Sequence, residues 1–431
     1  MFHSFIELFS SQEKLSDKWV LLLIFLFPIA GPVVRHWNSS IFVLLSLTSL
    51  YFLFAKKDRK ILLKEEKIYL WTFFLFFLTF IISTTANGYS WEKIQAQGLG
   101  TEIDFLLFIP IYLLIRENHY AKKALYAGIL LSIPIIFIFS FYEYTLSKYY
   151  NPRIELGLTG AYSQLFLGPI TALSLLMSYH AYKQGVNNKY NSRILSPLYI
   201  SMYIFMGLFT ISLSSARIAY ITIFFGSFII ILLQIKNLKL ILVSLGIIIL
   251  TSTTLYQINT IELRTNAAIT NFFNYFSKST DVKSATNNSV GMRLEAWRSS
   301  QYIFKERPFV GIGNGNYPTV IKKYIEEGLV SSSVIEMGQA HNTFIEALIS
   351  KGIIGLALLF MIFYYPVYIA WKHKKQAHFS FVTISVFASA ITLMSIGESM
   401  LINKNNGVSY LVIFSAILFS SLTHEINATK K

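Results

Sequence analysis

Residues 124–142 read ALYAGILLSIPIIFIFSFY, a run of nineteen residues without a charged side chain. An α-helix of about 20 apolar residues is long enough to cross the hydrocarbon core of a bilayer. The rest of the chain follows the same pattern, since 54% of its 431 residues are hydrophobic and only 14% are charged. Soluble domains carry about 25% charged residues. We therefore expect an all-α integral membrane protein.

Twelve segments are apolar enough to be membrane helices. They centre on residues 19–34, 39–55, 68–84, 102–115, 124–142, 161–180, 198–213, 217–234, 240–256, 342–370, 379–396 and 407–422. The first has no cleavage site of the kind that follows a signal peptide, so we interpret it as a membrane helix. The predicted organisation is helices 1–9 within 1–256, an outside loop at 257–341, and helices 10–12 within 342–431, all in one membrane domain.

The distribution of Lys and Arg predicts the orientation. With the N-terminus in the cytoplasm, 21 Lys and Arg fall in inside segments and 6 in short outside loops, while 9 lie in the long loop and Lys351 lies within a span. Short cytoplasmic loops are enriched in these residues, and long loops are largely exempt from this bias. We therefore expect both termini in the cytoplasm and the long loop outside. The net charge of +15 then reflects topology, and no nucleic-acid partner is expected.

The long loop has its own predicted structure. Residues 266–276 could form a short helix with phenylalanines at the membrane surface, and residues 292–306 form a second helix that Pro308 ends. The stretch 311–315 is a glycine-rich turn, with an anion-binding nest of backbone amides as the minor alternative. A third helix runs from Pro318 to Glu327, with Gly328 as its cap. No strand precedes the turn and no Gly-Lys-Ser/Thr follows it, which excludes the usual nucleotide-binding loops.

Three side chains could carry chemistry. Arg217 stands between two apolar runs on the outside, and Arg293 begins the loop helix. A guanidinium suits a phosphate because it donates two parallel hydrogen bonds and keeps its charge. His341 lies where the loop returns to the membrane, and imidazole can accept a proton near neutral pH. Each could also be ordinary: a snorkelling charge, a solvated surface charge and a structural histidine.

Further residues are predicted at the substrate or in support of it. Asn342 could orient His341 or bind sugar, Glu398 could support the histidine or hold the acceptor, and Lys351 could pair with a carboxylate such as Asp104. The predicted substrate contacts are Asn342, Trp297, Arg298, Tyr317 and Glu398. The chain has no Cys, and no cluster of His, Asp and Glu has the spacing of metal ligands, so no metal site is expected.

The order of these features resembles the O-antigen ligase and polymerase superfamily of bacterial envelope enzymes. The resemblance spans about 205–360 and rests on four features: Ser-Ser-Ala-Arg217, Arg293-Leu-Glu-Ala-Trp297, Pro308-Phe-Val-Gly311-Ile-Gly313, and His341-Asn342 followed by the Gly352–Gly355 pair. Chain length and helix number also match.

That resemblance implies a glycosyltransferase of the membrane-embedded C type, located in the bacterial inner membrane with its active site facing the periplasm. In the ligase, a glycan moves from undecaprenyl diphosphate to the lipid A–core, with inversion and without metal, nucleotide or other cofactor. By position, Arg217 and Arg293 would bind the diphosphate and His341 would act as base. The implied partners are therefore the lipid-linked donor, the lipid A–core acceptor and membrane lipids.

Other functions stay open. A polymerase would use the same donor with a second lipid-linked glycan as acceptor, although polymerases often divide their site between two large outside loops. A protein O-oligosaccharyltransferase would glycosylate Ser or Thr, although such enzymes usually have a larger C-terminal outside region. A lipid or solute transporter would explain the helices but not the structured loop. The single dominant loop favours the ligase.

Overall fold

The computed structural model describes residues 15–31, 33–34, 36–55, 61–89, 98–147, 164–185, 195–214, 216–242, 246, 259–277, 286, 288–399, 401 and 407–428. The helices before the long loop, α1 to α8, are Leu15–Leu26, Trp37–Ala55, Lys64–Ala86, Leu99–Ile115, Ala121–Ser147, Gln164–Gly185, Leu195–Ser214 and Arg217–Gln234. Helices α9 to α11 are Asn259–Ser277, Ser289–Glu306 and Tyr317–Glu326, followed by a 3-10 turn at Ser332–Ile335. The last three, α12 to α14, are Thr343–Lys372, His378–Gly397 and Gly407–Ala428.

The described residues form helices and no strand, which agrees with the predicted all-α class. Helices occur at eleven of the twelve predicted spans, while the ninth, 240–256, lies almost entirely outside the described residues. By length and composition, six of the described helices can cross a membrane: α2, α3, α5, α12, α13 and α14. The fold is therefore that of a multi-pass membrane protein, and the number of twelve spans stays a prediction.

Aromatic side chains fill the centre of the bundle. The rings of Phe73 on α3 and Phe108 on α4 stack with their centroids 3.7 Å apart. Tyr69 packs edge-on against Phe108 and donates its hydroxyl hydrogen to the carbonyl oxygen of Ile362 on α12 at 3.0 Å. A buried tyrosine hydroxyl needs such a partner because its desolvation would otherwise be uncompensated. These contacts join α3 and α4 to α12, the helix that leads out of the long loop.

Helix α12 is broken at Gly352, whose φ of 69° and ψ of −171° are not helical. A break leaves backbone groups without partners inside the helix. The amides of Ile312 and Gly313 donate to the carbonyl oxygens of Ile349 and Ser350 at 2.8 and 2.9 Å, and Ile353 donates its own amide to Pro308 at 2.8 Å. The long loop therefore supplies hydrogen-bond partners for the backbone groups at the break, and its glycine turn is fixed to the membrane bundle.

We call residues 288–341 the lid. Its core consists of apolar side chains from α10, α11 and the 3-10 turn, among them Ala296, Ile303, Ile321 and Val334. Asn288 caps α10 by accepting hydrogen bonds from the amides of Val290 and Gly291 at 3.2 and 2.8 Å. Such a cap satisfies amides that have no partner in the first helical turn. The predicted loop helices are thus confirmed, and α10 and α11 pack together with the 3-10 turn around one core.

Replacing Gly352 with Ala is expected to detach the lid from α12. The backbone at Gly352, with φ of 69° and ψ of −171°, lies in a region essentially restricted to glycine and costs a side chain about 1–3 kcal/mol. A Cβ at Gly352 would also lie 2.1 Å from the carbonyl oxygen of Phe309, which belongs to the backbone and cannot simply rotate away. We expect a lower melting temperature for the purified protein and faster proteolysis of the lid.

Two glycines supply controls for this substitution. Gly338 has a φ of +68° but open space around it, so Gly338→Ala tests the backbone strain alone. Gly100 lies in α4 with open space and no positive φ, so Gly100→Ala should leave the melting temperature unchanged or raise it slightly. Equal losses for Gly352→Ala and Gly338→Ala would contradict the proposed close docking of the lid.

Candidate active site

His341 lies at the point where the lid joins α12. It has a φ of 49°, one of two positive values among the described non-glycine residues. A left-handed backbone is uncommon outside glycine and persists only when neighbouring contacts impose it. The side chain is 20% exposed, so the ring is held in place but still reaches the surface. The backbone therefore directs this imidazole toward an open part of the site.

The residues on either side of His341 impose this conformation. Trp297 on α10 donates its indole hydrogen to the carbonyl oxygen of Ala340 at 2.9 Å, and the amide of Ala340 donates to Glu346 at 2.8 Å. The Asn342 side chain caps α12 by accepting hydrogen bonds from the amides of Phe344 and Ile345. His341 is thus held between two anchored residues, one on each side.

Glu398 is the residue that brings the site together. Its Oε2 lies 2.6 Å from Nδ1 of His341, and its Oε1 lies 3.6 Å from Nη2 of Arg293. Glu398 follows the last turn of α13, and its backbone carbonyl accepts a hydrogen bond from the Thr343 hydroxyl at 2.9 Å. Through its carboxylate and its backbone carbonyl, Glu398 therefore connects the lid, the start of α12 and the end of α13.

The three side chains of Glu398, His341 and Arg293 differ in how much of their surface is exposed. The Glu398 side chain is 9% exposed, whereas those of His341 and Arg293 are 20% and 33% exposed. The carboxylate therefore lies underneath, and the imidazole and the guanidinium lie above it. A substrate at this surface would meet a histidine and an arginine that share one buried counter-ion.

Arg217 begins α8, and its side chain lies outside the described part of the structure. Its backbone position is nevertheless close to Glu398. The next residue, Ile218, packs against Gly397, where an added Cβ would lie 2.9 Å from the isoleucine side chain. The turn before Arg217 packs on α6, because Gly168 leaves room for Ser214. The backbone of Arg217 therefore lies near the end of α13, where Gly397 directly precedes Glu398.

Arg298 and Tyr317 have internal partners within the lid. Arg298 donates to Glu295 at 2.8 Å and to the carbonyl oxygen of Leu329 at 2.7 Å. Burial would raise the pKa of Glu295, but hydrogen bonds from Arg298, Tyr275 and the Ser331 amide together lower it. Glu295 is therefore an anionic centre to which these groups attach.

Tyr317 is only 1% exposed and shares a hydrogen bond of 2.8 Å with the Ser299 hydroxyl. In this conformation both Arg298 and Tyr317 support the packing of the lid. Contacts of Asn342, Trp297, Arg298, Tyr317 and Glu398 with substrate stay predictions.

The first half of the glycine turn uses its amides to bind other parts of the protein. The N–H groups of Ile312 and Gly313 are already used by the carbonyl oxygens of α12. Gly311 approaches the same helix so closely that an added Cβ would lie 2.4 Å from the carbonyl carbon of Ser350. The interpretation as a turn is therefore confirmed, and the amides of Gly311, Ile312 and Gly313 are already bonded within the protein. The glycines are needed for close approach to a helix.

Lys351 is fully buried beneath this turn, and its predicted pairing with Asp104 is wrong. Its ammonium lies 2.7 Å from both carboxylate oxygens of Glu102 on α4. Asn314, from the turn of the lid, donates to the same carboxylate at 2.6 Å. The ammonium also lies 3.8 Å from the centroid of the Phe76 ring, a favourable cation–π distance. This buried pair attaches the lid to the bundle.

Among the described residues, no group of three His, Asp or Glu side chains is arranged to hold one metal ion. The structure joins two predicted residues, Arg293 and His341, through Glu398, which had a supporting role among the expectations. Glu102 and Glu346 were missed. Glu102 had a weak signal in the sequence, since an acidic residue at the start of an apolar helix needs a partner.

The comparisons with known proteins agree with the resemblance. Residues 202–360 match the family model described as O-antigen ligase. This region contains Arg217, Arg293 and His341, whereas Glu398 lies beyond it. Over 421 residues, the chain is 23% identical to an uncharacterized protein of Haemophilus influenzae. The alignment covers 94% of this chain and 98% of that protein. The resemblance to the O-antigen ligase family is therefore confirmed.

Proposed function

We propose that this protein, whose residues 202–360 match the O-antigen ligase family, transfers a glycan from undecaprenyl diphosphate to the lipid A–core at the periplasmic face of the inner membrane. His341 is the general base, and Arg293 and Arg217 bind the diphosphate. The reaction inverts the anomeric carbon and uses neither metal nor nucleotide. Membrane lipids surround the bundle, and both termini lie in the cytoplasm.

The observation that carries this proposal is the contact between His341 and Glu398. A hydrogen on Nδ1 that is donated to a carboxylate leaves Nε2 with a lone pair, so the ring is oriented as a base. At 2.6 Å the contact is also short, as expected of a hydrogen bond to a charged partner. The carboxylate then stabilises the imidazolium that forms when the ring takes a proton. This arrangement suits the deprotonation of a sugar hydroxyl.

The donor half of the site rests on the two arginines. Negative charge grows on the diphosphate as the bond to the sugar breaks, and fixed cations at that place lower the barrier. Arg293 supplies such a cation within reach of the histidine, since both contact Glu398. Arg217 begins a helix whose next residue packs beside Glu398. Two guanidiniums would replace the divalent ion that many phosphate-handling enzymes use.

The transfer step balances with these groups alone. His341 takes the proton of the acceptor hydroxyl at Nε2, and the oxygen attacks the anomeric carbon from the face opposite the diphosphate. The bond between that carbon and the phosphate oxygen breaks, and its electron pair leaves with undecaprenyl diphosphate. Arg293 and Arg217 hold the leaving group. The proton stays on the imidazolium beside Glu398 until water removes it.

The test is a transfer assay with the purified full chain in proteoliposomes. Lipid-linked glycan is supplied with lipid A–core, without nucleotide and in the presence of a metal chelator. We expect a glycosylated lipid A–core, detected by mass spectrometry, and release of undecaprenyl diphosphate. A parallel reaction contains lipid-linked glycan alone. Elongated lipid-linked glycan there would select the polymerase, and no transfer in either reaction would overturn the proposed function.

A further inference from the structure

The two oxygens of Glu398 have partners at different distances. The contact with His341 is a hydrogen bond at 2.6 Å, whereas the contact with Arg293 is an ion pair at 3.6 Å, beyond ordinary hydrogen-bond length. The guanidinium is one-third exposed and carries five N–H donors, so a single long contact does not saturate its hydrogen-bonding capacity. Arg293 is thus paired loosely with a carboxylate whose closer contact is with His341.

A diphosphate would compete with this carboxylate. Phosphate oxygens accept two parallel hydrogen bonds from a guanidinium, and a diphosphate carries more negative charge than one carboxylate. Arg293 can turn from Glu398 to the phosphate by rotating its exposed end. Glu398 itself is 9% exposed and is held at its backbone by Thr343, so it stays in place.

Once Arg293 has turned away, the charge of Glu398 acts on His341 alone. A carboxylate that loses a neighbouring cation stabilises an adjacent imidazolium more strongly, because the competing positive charge is gone. Proton transfer from the acceptor to His341 therefore becomes easier when the donor is bound. Without the donor, Arg293 offsets part of the same carboxylate charge.

We propose that Arg293 pairs with Glu398 in the absence of the donor, and that its exchange of this carboxylate for the donor diphosphate couples donor binding to base catalysis by His341. This inference rests on the proposed function and makes Glu398 a positioning residue. It also implies an order, in which the donor binds before the acceptor is deprotonated. The acceptor hydroxyl is then activated only when a glycan is there to receive it.

The test is Glu398→Gln in the full chain, with inorganic pyrophosphate as the probe of the diphosphate site. Removing the competing charge should tighten pyrophosphate binding by about two- to fivefold in calorimetry, as expected for a partly exposed ion pair. The transfer rate at saturating donor should fall by about a hundredfold, because the base loses its anionic partner. A purely structural role would weaken both, so the opposite signs are the diagnostic result.

Two further variants keep the test decisive. In an Arg293→Gln background, Glu398→Gln should no longer change pyrophosphate affinity, since the competition needs the guanidinium. Glu398→Asp keeps the charge and checks folding: its pyrophosphate affinity should stay within twofold of the parent while its transfer rate falls.

Unchanged or weaker pyrophosphate binding by a folded Glu398→Gln protein would overturn the competition. An unchanged transfer rate would overturn the coupling to His341. In both cases the parent still transfers glycan, so the proposed function would survive. A parent that transfers no glycan would overturn both proposals.

Discussion

Replacing His341 with Ala is expected to reduce glycan transfer by about 10²–10⁴-fold, the usual contribution of a general base. The substitution removes the Nε2 that would accept the acceptor proton, and it leaves Arg293 as the remaining described partner of the Glu398 carboxylate. Donor binding should persist, because the arginines are intact. The measurement is the single-turnover rate with lipid-linked glycan already bound, which separates loss of chemistry from loss of affinity.

Two variants guard against a folding defect. His341→Asn suits the left-handed backbone of this position, since Asn tolerates a positive φ better than Ala does. His373→Ala removes a half-buried histidine at the far end of α12 and should transfer glycan at the parent rate. A His341→Ala protein that folds normally and keeps more than about a tenth of the parent rate would remove His341 from the role of base.

The site residues that could be predicted from sequence are those whose position along the chain is informative by itself. Arg217 and His341 each stand where an apolar segment begins or ends, and a polar residue at such a boundary can be identified without coordinates. Arg293 could be identified as the start of a predicted loop helix. The common partner of Arg293 and His341 could not be identified in this way. Glu398 follows His341 by 57 residues, and its contact exists only because α13 returns to the start of α12. Pairings between helices depend on packing that the sequence pattern leaves open.

The partner of Lys351 illustrates the same limit on a smaller scale. Asp104 and Glu102 are two residues apart, so they lie on different faces of α4. The ring of Phe105, three residues after Glu102, lies 5.7 Å from the Lys351 ammonium, which identifies the face that points to α12. Glu102 shares that face and is completely buried. Choosing between these two carboxylates thus requires knowing how α4 is oriented about its own axis.

The length of the predicted tenth span already indicates that α12 is not one continuous membrane helix. The predicted tenth span, 342–370, is nearly thirty residues long, whereas about twenty cross a bilayer. The excess corresponds to residues 343–351, the segment before Gly352 that holds the lid. The glycine pair of the family resemblance was predicted as a motif without a geometric reason. Its first glycine permits the left-handed turn and the close approach of Phe309.

Replacing Lys351 with Met is expected to destabilise the protein more than any change on the lid surface. Both Lys351 and Glu102 have side chains with 0% exposure, so the substitution leaves a buried carboxylate with the Asn314 amide as its remaining described partner. Removing one member of a buried ion pair typically costs about 3–5 kcal/mol. We expect a clear fall in melting temperature in detergent and, since Asn314 fixes the lid, a lower transfer rate.

The double variant Lys351→Met with Glu102→Gln should recover most of the stability, because no unpaired charge remains and Gln can still accept the hydrogen bond from Asn314. Lys323→Met is the matched control: it breaks an ion pair of similar length, 2.8 Å, whose side chains are 54% and 48% exposed. Water screens that pair, so the melting temperature should not change measurably. If Lys351→Met resembled Lys323→Met, or if the double variant were no better than the single one, the lid would not depend on this buried pair for its attachment to the bundle.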